Sequence, residues 1–401
     1  MKNIFIKLLF VVGISMPTML YAQSIEQMAD IFWYKSSCRE LSSERLAAMD
    51  KMQTYVDGFT HTLFKEYLST PAGTDKERGI EGWGLMKFYN MALEKLLTEI
   101  PATKVKRGEV AVWQLYNMGY IVKTQTQCFG IDLYHKHAEQ LAPMIDFMLI
   151  THNHSDHQWK PLLAEMERQG KAVYSNFLDN GHKVSTGDEF TIGNISVKVT
   201  TVDHNATLKN FVNTYEINCY ASKGKKGYVM FFSGDAHNYE QLNPTTAVDV
   251  FIPHLAVGLN MAEAVKKINP KEVLMSHILE LGHSITKWRW SYEYGINECE
   301  KLNRERVYLP VWGEKIVFWG PMGCCTGNYF LMQGDLDSRD IVELMRETFR
   351  FIRDFEGEVP GAAPKDCGNW LLHDLPMARL ESAKYLEVLM QAGPENLNYP
   401  E

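Results

Sequence analysis

The chain has 401 residues, 45% of them hydrophobic and 22% charged, with a formal net charge of -8. That composition belongs to soluble globular proteins and excludes a disordered chain, a collagen-like repeat and a multi-span membrane protein. The acidic balance also argues against nucleic acid as a partner, since phosphate binding needs cations to displace counterions.

In chain order, an address comes first. Lys2 and Lys7 precede an apolar run at 8–14, which is followed by Pro17 and the small residue Ala22. This is the order of a cleavable secretory signal spanning residues 1–22, with cleavage expected after Ala22. Gly13, Ser15 and Pro17 interrupt the run that a membrane anchor would need. The expected location is therefore periplasmic or secreted. Residues 23–107 read as a helical extension. Ser37 with Glu40 makes a capping-box pattern, and Leu46, Met49, Met52, Tyr55 and Val56 recur at helical spacing. A loop is expected at 73–76, and a second periodic stretch, 83–100, closes at Pro101.

The pattern changes near Gly108. Short apolar or β-branched runs predict strands at 110–115, 120–124, 129–133 and 145–150, and a helix is expected at 159–169. Further strands are expected at 172–174, 190–192, 195–202, 214–221 and 228–232, the last two joined by a turn at 224–227. Then come a strand at 248–252, a helix at 261–268, a strand at 272–275 and a helix at 290–303. A last strand pair, 307–311 and 315–318, is expected to turn at Gly313. Strand runs with helices interposed point to sheets covered by helices. Beyond 320, amphipathic helices are expected at 338–355 and 375–391, joined by a Pro/Gly-rich loop at 357–368. The cysteines (Cys38, Cys128, Cys219, Cys299, Cys324, Cys325 and Cys367) contain no Cys-x-x-Cys pair and define no zinc ribbon, redox motif or disulfide scaffold.

The chemistry concentrates at 151–157, Thr-His-Asn-His-Ser-Asp-His, directly after a predicted strand. In extended chain His152 and His154 project to one side, and a turn brings Asp156 and His157 round to a neighbouring point. Four N/O donors so placed suit one or two divalent metals. His204, Asp235 and His277 each stand at the exit of another predicted strand, where loops from one end of a sheet converge.

This ordered set, His-x-His-x-Asp-His, then a lone His, then Asp after Ser-Gly, then a last His, resembles the metallo-β-lactamase-fold hydrolase superfamily. The resemblance covers residues 108–320. Within it, 119–124 and 130–132 are similar to that fold's opening hairpin. The 248–252 strand and the start of the next helix are most similar to the branch of sugar-phosphate lactonases and N-acyl-phosphatidylethanolamine phospholipase D. The resemblance implies an α+β protein, an αββα sandwich with helical extensions at 23–107 and 321–401 that have no counterpart in it. It implies His152, His154 and His204 on a first metal, Asp156, His157 and His277 on a second, and Asp235 bridging. An acid at 235, where true β-lactamases of this fold usually carry Cys or Ser, argues for a lactone, ester or phosphodiester as substrate. His154, where oxygen-reducing di-iron members carry an acid, weakens a redox reading.

The expected protein is a dinuclear metal-dependent hydrolase that uses a metal-bound hydroxide, since bound metal lowers the pKa of water to about 7. Asp156 and Asp235 are the expected catalytic residues: Asp235 can bridge, and Asp156 can ligate while orienting the nucleophile. Zinc is the first choice of metal, and manganese or iron also suit the donors. The expected partner is a small-molecule substrate; a membrane surface and a homo-oligomer stay open. The alternatives are a non-catalytic, metal-stabilised binding protein or a β-lactamase. No leaving-group acid stands out; His237, His254 and His283 are the nearest candidates, His254 first. Trp288 and Trp290 read as core packing ahead of a pocket lining.

Overall fold

Alternation decides which way each strand faces. In β1 (Glu109–Tyr116), Val110 and Val112 turn to one core, while Ala111, Trp113 and Leu115 turn to another. The same split recurs in β2 (Gly119–Lys123), β3 (Cys128–Ile131), β4 (Phe147–Leu149) and β5 (Val173–Tyr174). The structure, a computed structural model, describes residues 24–220, 227–255, 258–302 and 306–319. All of them lie in one compact unit, Met1–Gly327.

Two sheets face each other. The second contains β6 (Glu189–Ile192), β7 (Ile195–Val202), β8 (Val212–Cys219), β9 (Tyr228–Phe232), β10 (Val250–Ile252), β11 (Glu272–Leu274) and β12 (Val307–Tyr308). Its order is β12-β11-β10-β9-β8-β7-β6, and the first sheet, closed by β13 (Lys315–Trp319), runs β13-β1-β2-β3-β4-β5. The inner core holds Val112, Tyr120, Phe129 and Leu149 from one sheet against Val197, Ile217, Met230 and Ile252 from the other. Strands β9 and β10 are buried on both faces, which is why they read as unbroken apolar runs, whereas β7 alternates because its outer face is wet. Helices cover the outer faces. This is the αββα arrangement the sequence predicts. Cys38, Cys128, Cys219 and Cys299 are buried thiols.

The N-terminal region folds as five α-helices: α1 (Ile25–Asp30), α2 (Ser43–Gly58), α3 (His61–Ser69), α4 (Asp75–Glu81) and α5 (Gly84–Ala102). Ser42, not Ser37, caps α2, its side chain accepting from Arg45 N at 3.2 Å. The segment before it is held elsewhere, because Cys38 gives its carbonyl to Leu309 N at 2.8 Å. Thr74 caps α4, so Asp75 and Lys76 begin a helix and are not loop; Pro101 sits inside the last turn of α5. The region is docked by a buried, bidentate pair, Arg45 to Glu314 at 2.8 and 2.6 Å. Stacking of Trp33 on Phe88 and of Phe88 on Trp312, at 5.5 and 6.0 Å between ring centres, adds to it.

Downstream, α6 (Lys160–Arg168), α7 (Met261–Ile268) and α8 (Tyr292–Lys301) fall where expected. The last strands do not form the expected hairpin. β12 pairs with β11 in the second sheet and β13 with β1 in the first, so the Gly313 turn crosses between sheets. Gly313 has φ of +86°, and its N–H reaches Gln114 O at 2.8 Å, which anchors the crossing to β1. The expected turn at 224–227 lies mostly, and the signal segment and both C-terminal helices wholly, outside the described residues.

Candidate metal centre

Strands β3 and β4 run parallel to each other in one sheet, as do β9, β10 and β11 in the other, so within each set the carboxyl ends open together. The loop after β4 carries His152, His154, Asp156 and His157, the last two in a short 3-10 turn, Ser155–His157. His204 follows β7, Asp235 follows β9 and His277 follows β11. The fold brings all seven together in two overlapping groups. Ligand atoms of His152, His154, His204 and Asp235 lie within 4.8 Å of one another, and so do those of Asp156, His157, Asp235 and His277. Asp235 belongs to both.

Distances fill in the picture. Asp235 Oδ2 is 3.9 Å from His152 Nε2, 3.8 Å from His204 Nε2 and 3.5 Å from His277 Nε2, while its Oδ1 is 3.3 Å from His157 Nε2. Asp156 Oδ2 lies 3.5 Å from both His157 Nε2 and His277 Nε2. Backbone geometry puts them there. Gly234 has φ of +50°, and a Cβ on it would come within 2.9 Å of Thr151 and Val212, so only glycine lets β9 turn Asp235 inward. His277 itself takes φ of +62°, a costly conformation for a side-chain-bearing residue.

Residues outside the predicted set hold the predicted ones. Asp132, at the end of β3, is fully buried and accepts from Thr151 N at 2.8 Å, Thr151 Oγ1 at 2.7 Å and His157 Nδ1 at 2.8 Å. That fixes His157 with Nε2 toward the centre, as carboxylates behind metal-binding imidazoles do. Asn117 Nδ2 donates to Asp156 Oδ2 at 3.0 Å, and Asn205 Nδ2 lies 3.0 Å from His204 Nδ1. Asp132 was discoverable, since it leaves a strand at the same edge as the others; Asn117 reads as ordinary turn chemistry and gives no signal.

The charges are tightly balanced. Burial pushes Asp235 up, but the imidazoles of His157, His254 and His277 outweigh it and hold its carboxyl well below the usual range. Burial likewise opposes protonation of His157, yet Asp235, Asp156 and Asp132 keep its pKa well above the free imidazole value. Burial dominates at His152 and His154, which favour the neutral form, and lowers His204 to about 4. His157 Nε2 and Asp235 Oδ1 are buried without a hydrogen-bond partner and face each other across the cluster. Orphaned buried donors of this kind, in a His/Asp set, fit a bound divalent cation.

Of the histidines considered as proton donors, His254 and His237 lie at the centre's flank. Their rings stack at 5.1 Å, and His254 Nε2 is 3.9 Å from Asp235 Oδ2. His283 lies on the loop after His277. Trp288, expected in the core, is 58% exposed, and Trp290 is only partly buried.

Comparison with known proteins divides the chain. Residues 130–277 match the beta-lactamase superfamily domain, and residues 302–395 match S-ribosylhomocysteinase. The central domain is thus similar to the beta-lactamase superfamily domain, a fold that implies divalent metal ions. The C-terminal stretch is similar to S-ribosylhomocysteine lyases. It is 75% identical over 92 residues to that of Phocaeicola vulgatus, covering 23% of this chain and 57% of the relative. It is 70% identical over 93 residues to that of Porphyromonas gingivalis W83, covering 23% and 58%. This chain thus spans little more than half the length of these relatives. Among solved structures, a metallo hydrolase from Ignicoccus hospitalis superposes with a TM-score of 0.39 at 18% identity, over 52% of this chain and 98% of that one. The S-ribosylhomocysteinase match covers most of the residues beyond 320, for which the metallo-β-lactamase resemblance offers no counterpart.

Proposed function

We propose that the central domain is a metal-dependent hydrolase that holds two divalent cations, zinc in the first instance, and cleaves an ester, lactone or phosphodiester of a small molecule. The observation that carries this reading is Asp235, whose carboxylate is common to both donor groups, as a bridging residue must be. Cations bound there would supply a nucleophile at neutral pH and Lewis acidity toward the substrate oxygen. The protein's own contribution is positional. Asp132 fixes His157, Asn117 fixes Asp156, and the 3.0 Å Asn117 contact leaves the other Asp156 oxygen available to accept a proton from an attacking water. A carboxylate at 235 supports these substrates over β-lactams. A purely structural metal would need four closed ligands, and seven donors exceed that.

The test is elemental analysis of protein purified without chelator, with a screen of lactones, esters, phosphodiesters and β-lactams. About two metals per chain are expected, and Asp156→Ala and Asp235→Ala should abolish turnover while the protein still folds. A metal-free protein, or either variant at full activity, would refute the reading. The reading includes export, supported by the Lys2–Ala22 pattern and tested by the N-terminal residue of protein recovered from culture fractions.

The 75% identity over 92 residues favours a second reading for residues 302–395, that they contribute part of an S-ribosylhomocysteine lyase. Incubation with S-ribosylhomocysteine and a thiol assay tests it; no thiol release would confine activity to the central domain.

A further inference from the structure

The loop between β11 and α8 is firmly held at its base and apolar at its tip. Leu279 N donates to Trp290 O at 2.9 Å across the base. Arg289 is buried and donates to Leu281 O at 2.6 Å and His283 O at 3.0 Å within the loop. The same guanidinium reaches Phe59 O at 2.6 Å and Val56 O at 3.0 Å at the end of α2. At the tip Lys287 N closes a turn on Ser284 O at 2.9 Å, which puts Ile285 and Thr286 at its corners. Turn corners ordinarily carry Gly, Pro, Asn, Asp or Ser. Here Ile285 is 48% exposed, and Trp288, itself exposed, follows with φ of +59°, a costly conformation for so bulky a residue.

Trp83, the residue before α5, belongs to the same face. Its ring meets Phe59 edge-on at 5.9 Å, and Phe59 is the residue whose carbonyl Arg289 holds. Trp83 is 50% exposed. Of the large apolar side chains exposed among the described residues, only Tyr34 lies outside this group. The chain also enters the fold here. A Cβ on Gly84, next to Trp83, would stand 3.2 Å from the Ile25 side chain, and Glu26 pairs with Lys87. Ser24, the first described residue, caps α1 beside them. The apolar run at 8–14 therefore joins the fold at this face through no more than ten residues, about 35 Å of extended chain. The tip sequence, Ser-Ile-Thr-Lys-Trp at 284–288, carries one lysine and no acid. Tryptophan beside lysine is a composition suited to the boundary of lipid and water, where the indole sits at headgroup level and the ammonium reaches outward.

We propose that Trp83, Ile285 and Trp288 form a docking surface for a phospholipid bilayer, held by shallow insertion of these side chains. Attraction to anionic headgroups is secondary, because the tip offers a single lysine on a chain of net charge -8. The surface needs neither metal nor turnover, so it stands or falls apart from the hydrolase reading.

The test uses the full protein as the cell leaves it, with vesicles of phosphatidylcholine and phosphatidylethanolamine. In flotation, Trp83→Ser combined with Trp288→Ser should raise the lipid concentration for half-binding about 10–100-fold, the apolar burial lost by two half-exposed indoles. Ile285→Ser alone should raise it severalfold. All three side chains are exposed, so both variants should keep the wild-type melting transition. Raising the salt from about 0.1 M to about 1 M should leave wild-type binding nearly unchanged. Hydrogen exchange at amides 283–288 should slow only when vesicles are present. No vesicle binding, equal binding by the variants, or binding abolished by salt overturns the proposal. Protection of 283–288 without vesicles overturns it too, since a second copy or another part of the chain would then cover the face.

Discussion

Asp132 offers the sharpest single perturbation of the centre, because Asp132→Asn changes one atom and reverses one proton. The carboxylate accepts three hydrogen bonds, two from Thr151 and one from His157 Nδ1. An asparagine can keep the Thr151 N bond through its carbonyl oxygen, which turns its amide nitrogen toward His157. Two N–H groups cannot face each other, so His157 must accept through Nδ1 and carry its proton on Nε2. That proton then points at Asp235 and Asp156, 3.3 and 3.5 Å away, where a cation would need a lone pair. Removing such a supporting carboxylate typically costs 10–100-fold in metal affinity, or about 1.4–2.7 kcal/mol. The loss should fall chiefly on the position served by Asp156, His157 and His277, since Asp132 touches His157 directly but His152 only through Thr151 Oγ1. On the proposed two-cation reading, competition against a chromophoric chelator should resolve two binding constants. One should weaken by about that factor while the other holds. Two unchanged constants would mean that Asp132 does not govern His157, and a joint collapse with loss of the melting transition would make it a structural residue only.

Two further outcomes follow from buried charges. Glu314→Gln strips the partner from Arg45, which is fully buried, and should cost about 3–5 kcal/mol in urea unfolding, whereas the pair replaced by Met and Leu should come close to wild type. Metal binding should release protons, because His157 and His277 have raised pKa values and must lose their protons to ligate; titration calorimetry in buffers of different ionisation enthalpy reads this, and buffer-independent heats would refute it. In the chelated protein those imidazolium contacts stabilise the fold fully below the unfolded value of 6.5 and are lost as pH rises through the raised folded values. The Asp156 and Asp235 contribution runs the other way, present above 3.8 and lost as pH falls through their depressed values.

Much of the fold could be read from local pattern. The strands from 109 to 274 and helix α7 emerge from runs and alternation because each buries one or both faces. What failed was decided by distant contacts. Ser37 and Glu40 have a capping pattern, but Cys38 is engaged by Leu309, so the helix waits for Ser42. The residues 307–319 look like a hairpin, yet Glu314 is held by Arg45 some 269 positions earlier and the turn crosses between sheets. At the site, the seven candidate donors are chemically conspicuous and stand at strand ends. Their supports, Asn117 and Thr151, are residues of ordinary turns and strands whose roles exist only once the chain is folded.

The boundary between the two family matches is where fold and sequence similarity part company. The S-ribosylhomocysteinase match begins at residue 302, but β12 and β13 lie beyond that point and complete both sheets. β13 pairs along five residues of β1, Leu309 binds Cys38, and Glu314 neutralises the buried Arg45. A chain ended at 302 would therefore expose the edges of β1 and β11 and strand a guanidinium in the core, a loss beyond the usual stability of a domain. A chain ended at 327 keeps every one of these contacts and all seven donors, within one compact unit. The shorter protein should be insoluble or unfolded by circular dichroism, and the longer should melt cooperatively and bind metal as the full chain does. If the product ending at 302 folds and binds metal, β12 and β13 are ornaments of the sandwich and the domain border belongs where the sequence similarity puts it.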